Sequence, residues 1–156
     1  IETMARQYGF KVEVVQYRGE AAMFADVAAQ QLDGAAGSPA GAAAVIASGK
    51  GRAIAMMGDR LPAFPGVATM VEQGAVGGFY ETRAFAAFAV PAATPKDIVK
   101  KLSDTLFEAG TDEKVKALMA NYLIVGPLDF EATNKVFKRD TEIMLKVMKE
   151  IGIKAE

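Results

Sequence analysis

Two junctions along the chain carry residues whose types and spacing suit the binding of an anion. In the first, Tyr17-Arg18-Gly19-Glu20, a glycine precedes a predicted helix and Arg18 offers a bidentate guanidinium donor. The second, Gly37-Ser38-Pro39, places a hydroxyl and then a proline where the next helix should begin. Backbone N–H groups at a helix N-terminus, together with the helix dipole, attract negative groups. Both junctions therefore indicate anion capture.

Each junction also has an ordinary structural interpretation. A strand–glycine–helix connection is common, Arg18 fits a solvated turn, and Ser38 fits a simple N-cap. Glu20 lies in the first turn of its own helix, where its negative charge interacts with the helix dipole. A ligand carboxylate would need that same interaction. Glu20→Gly is therefore expected to tighten anion binding if the turn lines a site. Since neighbouring ends of parallel strands line one crevice, the two junctions are more informative together.

Arg83 is the third candidate because it precedes an apolar run, residues 84–90. A charge within an apolar strand usually needs a partner. Arg83 could contact a ligand carboxylate, pair with Glu81 or another acid, or point to solvent at a strand edge.

Composition narrows the chemistry. The 156 residues include no cysteine and no histidine, which excludes disulfides and thiolate chemistry and removes the commonest general base. A net charge of −1 gives no electrostatic footprint for nucleic acid or a membrane surface. The glycines match neither a dinucleotide-binding fingerprint nor a P-loop. Carboxylate or lysine chemistry remains possible, but an enzyme is less expected, and we predict no catalytic residue, no metal site, no cofactor and no nucleic-acid partner.

The elements that must position these residues alternate between strand and helix. This alternation favours an α/β fold with right-handed βαβ units and a parallel-rich sheet. Strands are predicted at residues 11–17, 34–37, 52–57, 79–90 and 123–125. Helices are predicted at 2–8, 20–32, 39–48 and 67–73, and after Thr94, Thr111 and Asp129.

The order of several short motifs resembles that of a known family. The motifs include Tyr17-Arg18-Gly19, Gln31-Leu32-Asp33, Ser48-Gly49-Lys50, Arg52-Ala53-Ile54-Ala55, the segments 67–74 and 88–95, and Gly152-Ile153-Lys154-Ala155-Glu156. Together they look like the substrate-binding proteins of tripartite tricarboxylate transporters, often called the Bug family. The resemblance covers essentially the whole chain.

The resemblance implies a periplasmic solute-binding protein of the type II periplasmic-binding-protein-like fold, whose two α/β lobes close on a small carboxylate. It implies that residues 1–82 form most of the second lobe, 83–93 the crossover and hinge, and 94–156 the C-terminal helices of the first lobe. By the same resemblance, the backbone of Gly19, Glu20 and Ala21 and the Gly37-Ser38 junction would contact ligand, directly or through ordered water. Tyr17, Arg18 and Arg83 complete the predicted ligand residues. The membrane subunits of the transporter would be its partners.

The family pattern is not matched everywhere. Glu20 and Ala22 stand where a small residue and a proline are common, Gly37 where an acid is common, and Phe85 and Ala86 where aromatic residues are common. The chain begins at Ile1 without methionine or a signal-like run, so we expect a mature product, an engineered piece or a proteolytic fragment. The resemblance implies the C-terminal half of a longer protein.

Two other function classes stay open at this point. One is a small α/β enzyme that uses Asp33 or Asp59 as a base, which predicts a raised carboxyl pKa inside a pocket. The other is a non-binding, oligomerising domain. A lone half of a two-lobe protein exposes apolar surface that its other lobe should cover, so a homodimer of the truncated chain is a further hypothesis.

Overall fold

Helices are the regular structure of this chain. The computed structural model describes residues 1–82 and 85–152. In these residues the helices are α1 (Glu2–Tyr8), α2 (Glu20–Ala28), α3 (Pro39–Ala47), α4 (Lys96–Thr111), α5 (Glu113–Asn121) and α6 (Phe130–Ile151), with a short 3-10 helix at Gly78–Glu81. None of the described helices is both long enough and apolar enough to cross a membrane.

Local capping chemistry explains where three of these helices begin. Ser38 is the N-cap of α3, its Oγ accepts a hydrogen bond from Gly41 N at 3.0 Å, and Pro39 follows as the first helical residue. Asp112 caps α5 in the same way, and Asp129 Oδ1 accepts a hydrogen bond from Ala132 N at 2.8 Å in the first turn of α6. The predicted starts of these three helices are confirmed.

A left-handed residue ends α2 earlier than predicted. The predicted helix at 20–32 stops at Ala28, because Gln30 has a φ of 61°, a conformation that an α-helix cannot contain. Gln31 N donates to Asp26 O at 2.8 Å and Gln30 N to Val27 O at 3.0 Å, which is the Schellman pattern of a helix end. Glycine usually occupies the left-handed position, as Gly9 does after α1. A glutamine gives no such signal.

The predicted α/β fold with a parallel-rich sheet is wrong. No sheet occurs in the described residues, and Met56 and Thr69 form an isolated parallel bridge instead. The predicted strands at 11–17 and 34–37 are segments without regular secondary structure. Alternating β-branched residues express a preference for extended backbone, but a strand exists only where another chain segment accepts and donates its hydrogen bonds. The local pattern does not specify that second segment.

Three further predicted elements take other forms. Leu123 has a φ of 57° and follows α5, so the predicted strand at 123–125 begins in a left-handed residue. The predicted helix at 67–73 is a series of turns, in which Thr69 N donates to Glu72 Oε2 at 2.7 Å and Glu72 N donates to Thr69 Oγ1 at 3.1 Å. The predicted strand at 79–90 starts within the 3-10 helix at Gly78–Glu81, and Arg83 and Ala84 lie outside the described residues.

The chain divides into two compact units, Ile1–Arg83 with Met144–Glu156, and Ala84–Ile143. In the first unit Tyr80 is fully buried, and its hydroxyl donates to Gln7 Oε1 at 2.8 Å. Arg6 Nη1 donates to Glu150 O at 2.9 Å, so α1 and the end of α6 are joined within this unit. The first unit thus combines residues from both ends of the sequence.

The second unit contains α4, α5 and the first part of α6. Gly110, at the end of α4, is buried, and a Cβ there would lie 2.8 Å from Pro127 Cγ. Phe85 and Phe137 meet edge to face with ring centroids 6.4 Å apart. These contacts hold the unit together around small and aromatic side chains.

Candidate functional site

A carboxylate from α2 occupies the N-terminus of α3. Ser38 N donates to Glu20 Oε1 at 2.7 Å, and Ser38 Oγ donates to Glu20 Oε2 at 2.6 Å. The hydroxyl of Ser38 therefore serves two partners, because its oxygen also accepts the hydrogen bond from Gly41 N. The start of α3 is thus built to hold a carboxylate, and Glu20 supplies one.

Two glycines let α2 approach this end of α3 closely. A Cβ at Gly37 would lie 2.9 Å from Met23 Cε and 3.0 Å from Phe24 Cε2. A Cβ at Gly41 would collide with Glu20 Oε2 and would lie 3.0 Å from Phe24 Cε2. A side chain at either position would therefore require the Phe24 ring, together with the flexible end of Met23 or Glu20, to shift.

The electrostatics of this contact favour the ionised form of Glu20. Hydrogen bonds from the Ser38 hydroxyl and, second, from the Ser38 backbone N–H lower the pKa of the Glu20 carboxyl below its ordinary range. The first turn of α3 has no acidic residue of its own. Glu20 therefore provides the negative charge that the dipole of α3 favours. The prediction that Glu20 serves the dipole of its own helix is incomplete, because its carboxylate binds the next one.

The N-terminus of α2 offers backbone donors beside this contact. Gly19 is the N-cap of α2 with extended backbone, and no side chain caps this helix end. Gly19 and Ala21 are exposed, as is Gly37 at the other junction. The N–H groups of the first turn of α2 thus have no side-chain acceptor within their own helix. Among the predicted ligand residues, the structure brings Glu20 and Ser38 into direct contact.

Tyr17 and Arg18 take no part in the contact between Glu20 and Ser38. The Tyr17 hydroxyl donates to Asp26 Oδ2 at 2.5 Å, and this hydrogen bond, more than the partial burial of the ring, raises the pKa of Tyr17. Tyr17 therefore links the segment before α2 to the last turn of that helix. Arg18 is exposed and forms no hydrogen bond or ion pair within the described part of the chain. Arg83, the remaining predicted ligand residue, lies outside the described residues.

The residues considered for other chemistry are on the surface. Asp33 and Asp59, the candidate bases of an enzyme, are both exposed rather than enclosed in a pocket. Across residues 1–82 and 85–152, no three acidic side chains lie close enough together to hold a metal ion. An open groove beside α1, lined by residues between Glu2 and Val14, contains none of the predicted ligand residues.

Sequence reasoning missed three contributors to the site. Gly41 and Phe24 set how closely α2 and α3 pack, and Asp26 holds Tyr17. The four-residue spacing of Gly37 and Gly41 was the available signal, since glycines at this spacing leave one side of a helix start open to a neighbour. No comparable signal marks Asp26 as the partner of Tyr17.

Comparison with known proteins assigns the chain to a protein family. The model of the tripartite tricarboxylate transporter family receptor matches residues 1–153. Comparison with curated proteins and with solved structures gave no significant match. Members of the matching family are extracytoplasmic solute-binding receptors that work with the membrane subunits of tripartite transporters, and they are not enzymes. With essentially its whole length matched, the chain belongs to the tripartite tricarboxylate transporter receptor family.

Proposed function

We propose that this chain captures a small carboxylate outside the cytoplasm and presents it to the membrane subunits of a tripartite transporter. Family membership supports the receptor role. The carboxylate specificity is supported by one observation in particular, the two hydrogen bonds from Ser38 to the Glu20 carboxylate. A helix N-terminus that binds a carboxylate of its own chain has the kind of donors that bind the carboxylate of a ligand.

The proposed ligand contacts come from two helix starts. Ser38 contributes its backbone N–H and hydroxyl at α3, and the uncapped first turn of α2, at Gly19 to Ala21, contributes further N–H groups. Gly37 is exposed beside Ser38, and the exposed guanidinium of Arg18 adds positive charge near the α2 turn. Tyr17 acts indirectly, by fixing the segment that precedes α2. No chemical change of the ligand is required.

We also propose the division expected from the family resemblance, with residues 1–82 as one lobe, 83–93 as the hinge and 94–156 as helices of the other lobe. In support, one compact unit gives way to the next at residues 83–84, although the end of α6 groups with the first unit. Arg83 stays a predicted ligand residue and lies outside the described residues. A periplasmic location follows from the family's extracytoplasmic role. Exposed apolar side chains such as Ile54 and Val76 support a homodimer of the chain.

Calorimetric titration with succinate, citrate and benzoate tests the carboxylate specificity, and glucose serves as a neutral solute. We expect at least one carboxylate to bind and glucose to give no heat. Ser38→Ala removes a hydrogen bond to a charged group, so we expect about tenfold weaker binding. Ser48→Ala is the matched control, because its hydroxyl donates to Val45 O at 2.9 Å at the opposite end of α3. The absence of binding by all three carboxylates would overturn the proposal.

A further inference from the structure

Residues 10–14, which directly follow α1, leave most of their backbone unpaired. Phe10 N donates to Ala5 O at 3.2 Å, after the left-handed turn at Gly9, whose φ is 69°. Beyond that bond, the N–H and carbonyl groups of residues 11–15 form no backbone hydrogen bonds within the described part of the chain. Backbone groups left free in this way are what a further strand needs in order to add to a protein.

The side chains of the 10–14 segment alternate between apolar and charged. Phe10, Val12 and Val14 are apolar, whereas Lys11 and Glu13 are charged. Successive side chains of a strand point to opposite faces, so strand pairing would place the apolar side chains on one face and the charged ones on the other. Phe10 and Val12 are 43% and 42% exposed, and with Val14 they line the open groove beside α1. An apolar surface is therefore accessible to a partner here.

The order of these residues makes the segment complementary to itself. In an antiparallel pair centred on Val12, Lys11 of each copy lies opposite Glu13 of the other copy. In the same register Phe10 lies opposite Val14, so apolar side chains also face each other. Opposite charges at facing positions stabilise a pair of strands, and like charges destabilise it. We propose that the 10–14 segment binds the 10–14 segment of a second copy of the chain in this register.

Other registers fit less well. A shift of one residue places apolar side chains opposite charged ones, and a shift of two places Lys11 opposite Lys11 or Glu13 opposite Glu13. A strand from another protein would need an acid, a base and alternate apolar residues at matching positions, and the chain's own segment has all of them. Because the pairing is two-fold symmetric, it closes on itself and association stops at the dimer.

This inference rests on the homodimer of the proposed function and assigns that homodimer a surface. The 10–14 segment contains none of the predicted ligand residues, the first of which is Tyr17. Carboxylate capture and the pairing of two copies can therefore be tested separately.

Sedimentation velocity of the full chain at a series of concentrations tests the pairing. We expect wild type to dimerise, and Lys11→Glu or Glu13→Lys to raise the dissociation constant about tenfold or more, because each places like charges at both facing pairs. The double variant restores opposite charges and should dimerise as wild type does. Lys50→Glu is the matched control, since it makes the same charge change at an exposed position of the same unit. Circular dichroism verifies that each variant is folded.

A mixture of the two single variants gives the sharpest test of the register. Lys11→Glu has acids at both charged positions and Glu13→Lys has bases at both, so each repels itself but complements the other. An equimolar mixture should therefore form a heterodimer at concentrations where either variant alone is monomeric.

The outcomes separate the surface from the wider proposal. A wild-type dimer that neither reversal weakens, or a mixture that stays monomeric while wild type dimerises, overturns the 10–14 surface and leaves a homodimer through other residues standing. Wild type that stays monomeric at every concentration overturns both the surface and the homodimer. Neither result bears on carboxylate capture, which the calorimetric titration decides.

Discussion

At the N-termini of α3 and α5, the helix dipole and free N–H groups are matched by a carboxylate, but the carboxylate comes from a different place in each case. At α5 the N-cap residue Asp112 is itself charged, and its Oδ1 accepts hydrogen bonds from Lys114 N at 2.9 Å and Val115 N at 3.3 Å. At α3 the N-cap residue is the neutral Ser38, and the charge comes from Glu20 in another helix. The carboxylate at the start of α5 thus belongs to its own N-cap residue, whereas the carboxylate at the start of α3 belongs to α2.

The difference lies in how easily each anion can be exchanged. Asp112 is covalently held within three residues of the N–H groups it serves, so its effective concentration there is high. Glu20 reaches Ser38 only if α2 and α3 pack correctly. The anion at α3 thus depends on a tertiary contact, whereas the anion at α5 does not. The region whose anion comes from a distance is therefore the better candidate for ligand binding.

The largest expected effect comes from breaking the packing that brings Glu20 to Ser38. Gly41→Val should lower the free energy of unfolding by about 1–3 kcal/mol, because the new side chain would collide with Glu20 Oε2 and Phe24. Urea unfolding measures the change. Gly34→Val is the control, since a Cβ at Gly34 meets no atom within 4 Å. Equal effects of the two substitutions would contradict the described contact between α2 and α3.

A smaller loss of stability is expected at the start of α5, which is capped by its own residue Asp112. Asp112→Ala should destabilise α5 by about 1 kcal/mol, the usual cost of removing an N-cap side chain. Hydrogen exchange at the amides of Lys114 and Val115 measures this loss directly. The affinity for succinate should stay at its wild-type value. A large change in that affinity would mean that the two helix starts do not differ in function as proposed.

The smallest effect is a pH dependence of the stability that Glu20 contributes at the α3 start. The pKa of folded Glu20 is lowered, so its contribution to stability is complete above the ordinary glutamate pKa and is lost as the pH falls through the folded pKa. Wild type should therefore exceed Glu20→Gln in stability at neutral pH, and the difference should shrink as the pH falls below about 4. Urea unfolding at a series of pH values measures it. A difference that stays constant down to pH values of about 2 would exclude an ionised contact.

The helices could be predicted from the sequence wherever their ends depend on neighbouring residues. Ser38-Pro39, Asp129 and Gly9 each act on N–H or carbonyl groups a few positions away, and the structure has the caps that they predict. A sheet was predicted wrongly, because strand pairing depends on a distant segment that the local pattern does not identify. The end of α2 was also missed, since Gln30 gives no sign of a left-handed backbone.

The candidate site was predicted as two separate junctions rather than as a contact. Glycine and serine at helix starts are visible in the sequence, and so is the acid at position 20. What the sequence does not give is that the acid crosses to the next helix, since this depends on the angle and spacing at which α2 and α3 pack. Tyr17 likewise looked available for ligand, but Asp26, nine positions later, accepts its hydrogen bond.

The hydrogen bond from Arg6 to the carbonyl of Glu150 limits how early the first unit can fold during synthesis. The two residues are separated by 144 positions, which a ribosome adding 5–20 residues per second covers in roughly 7 to 29 s. During that interval α1 has been synthesised but the end of α6 has not. The first unit can therefore reach its final form only after the end of α6 has been synthesised.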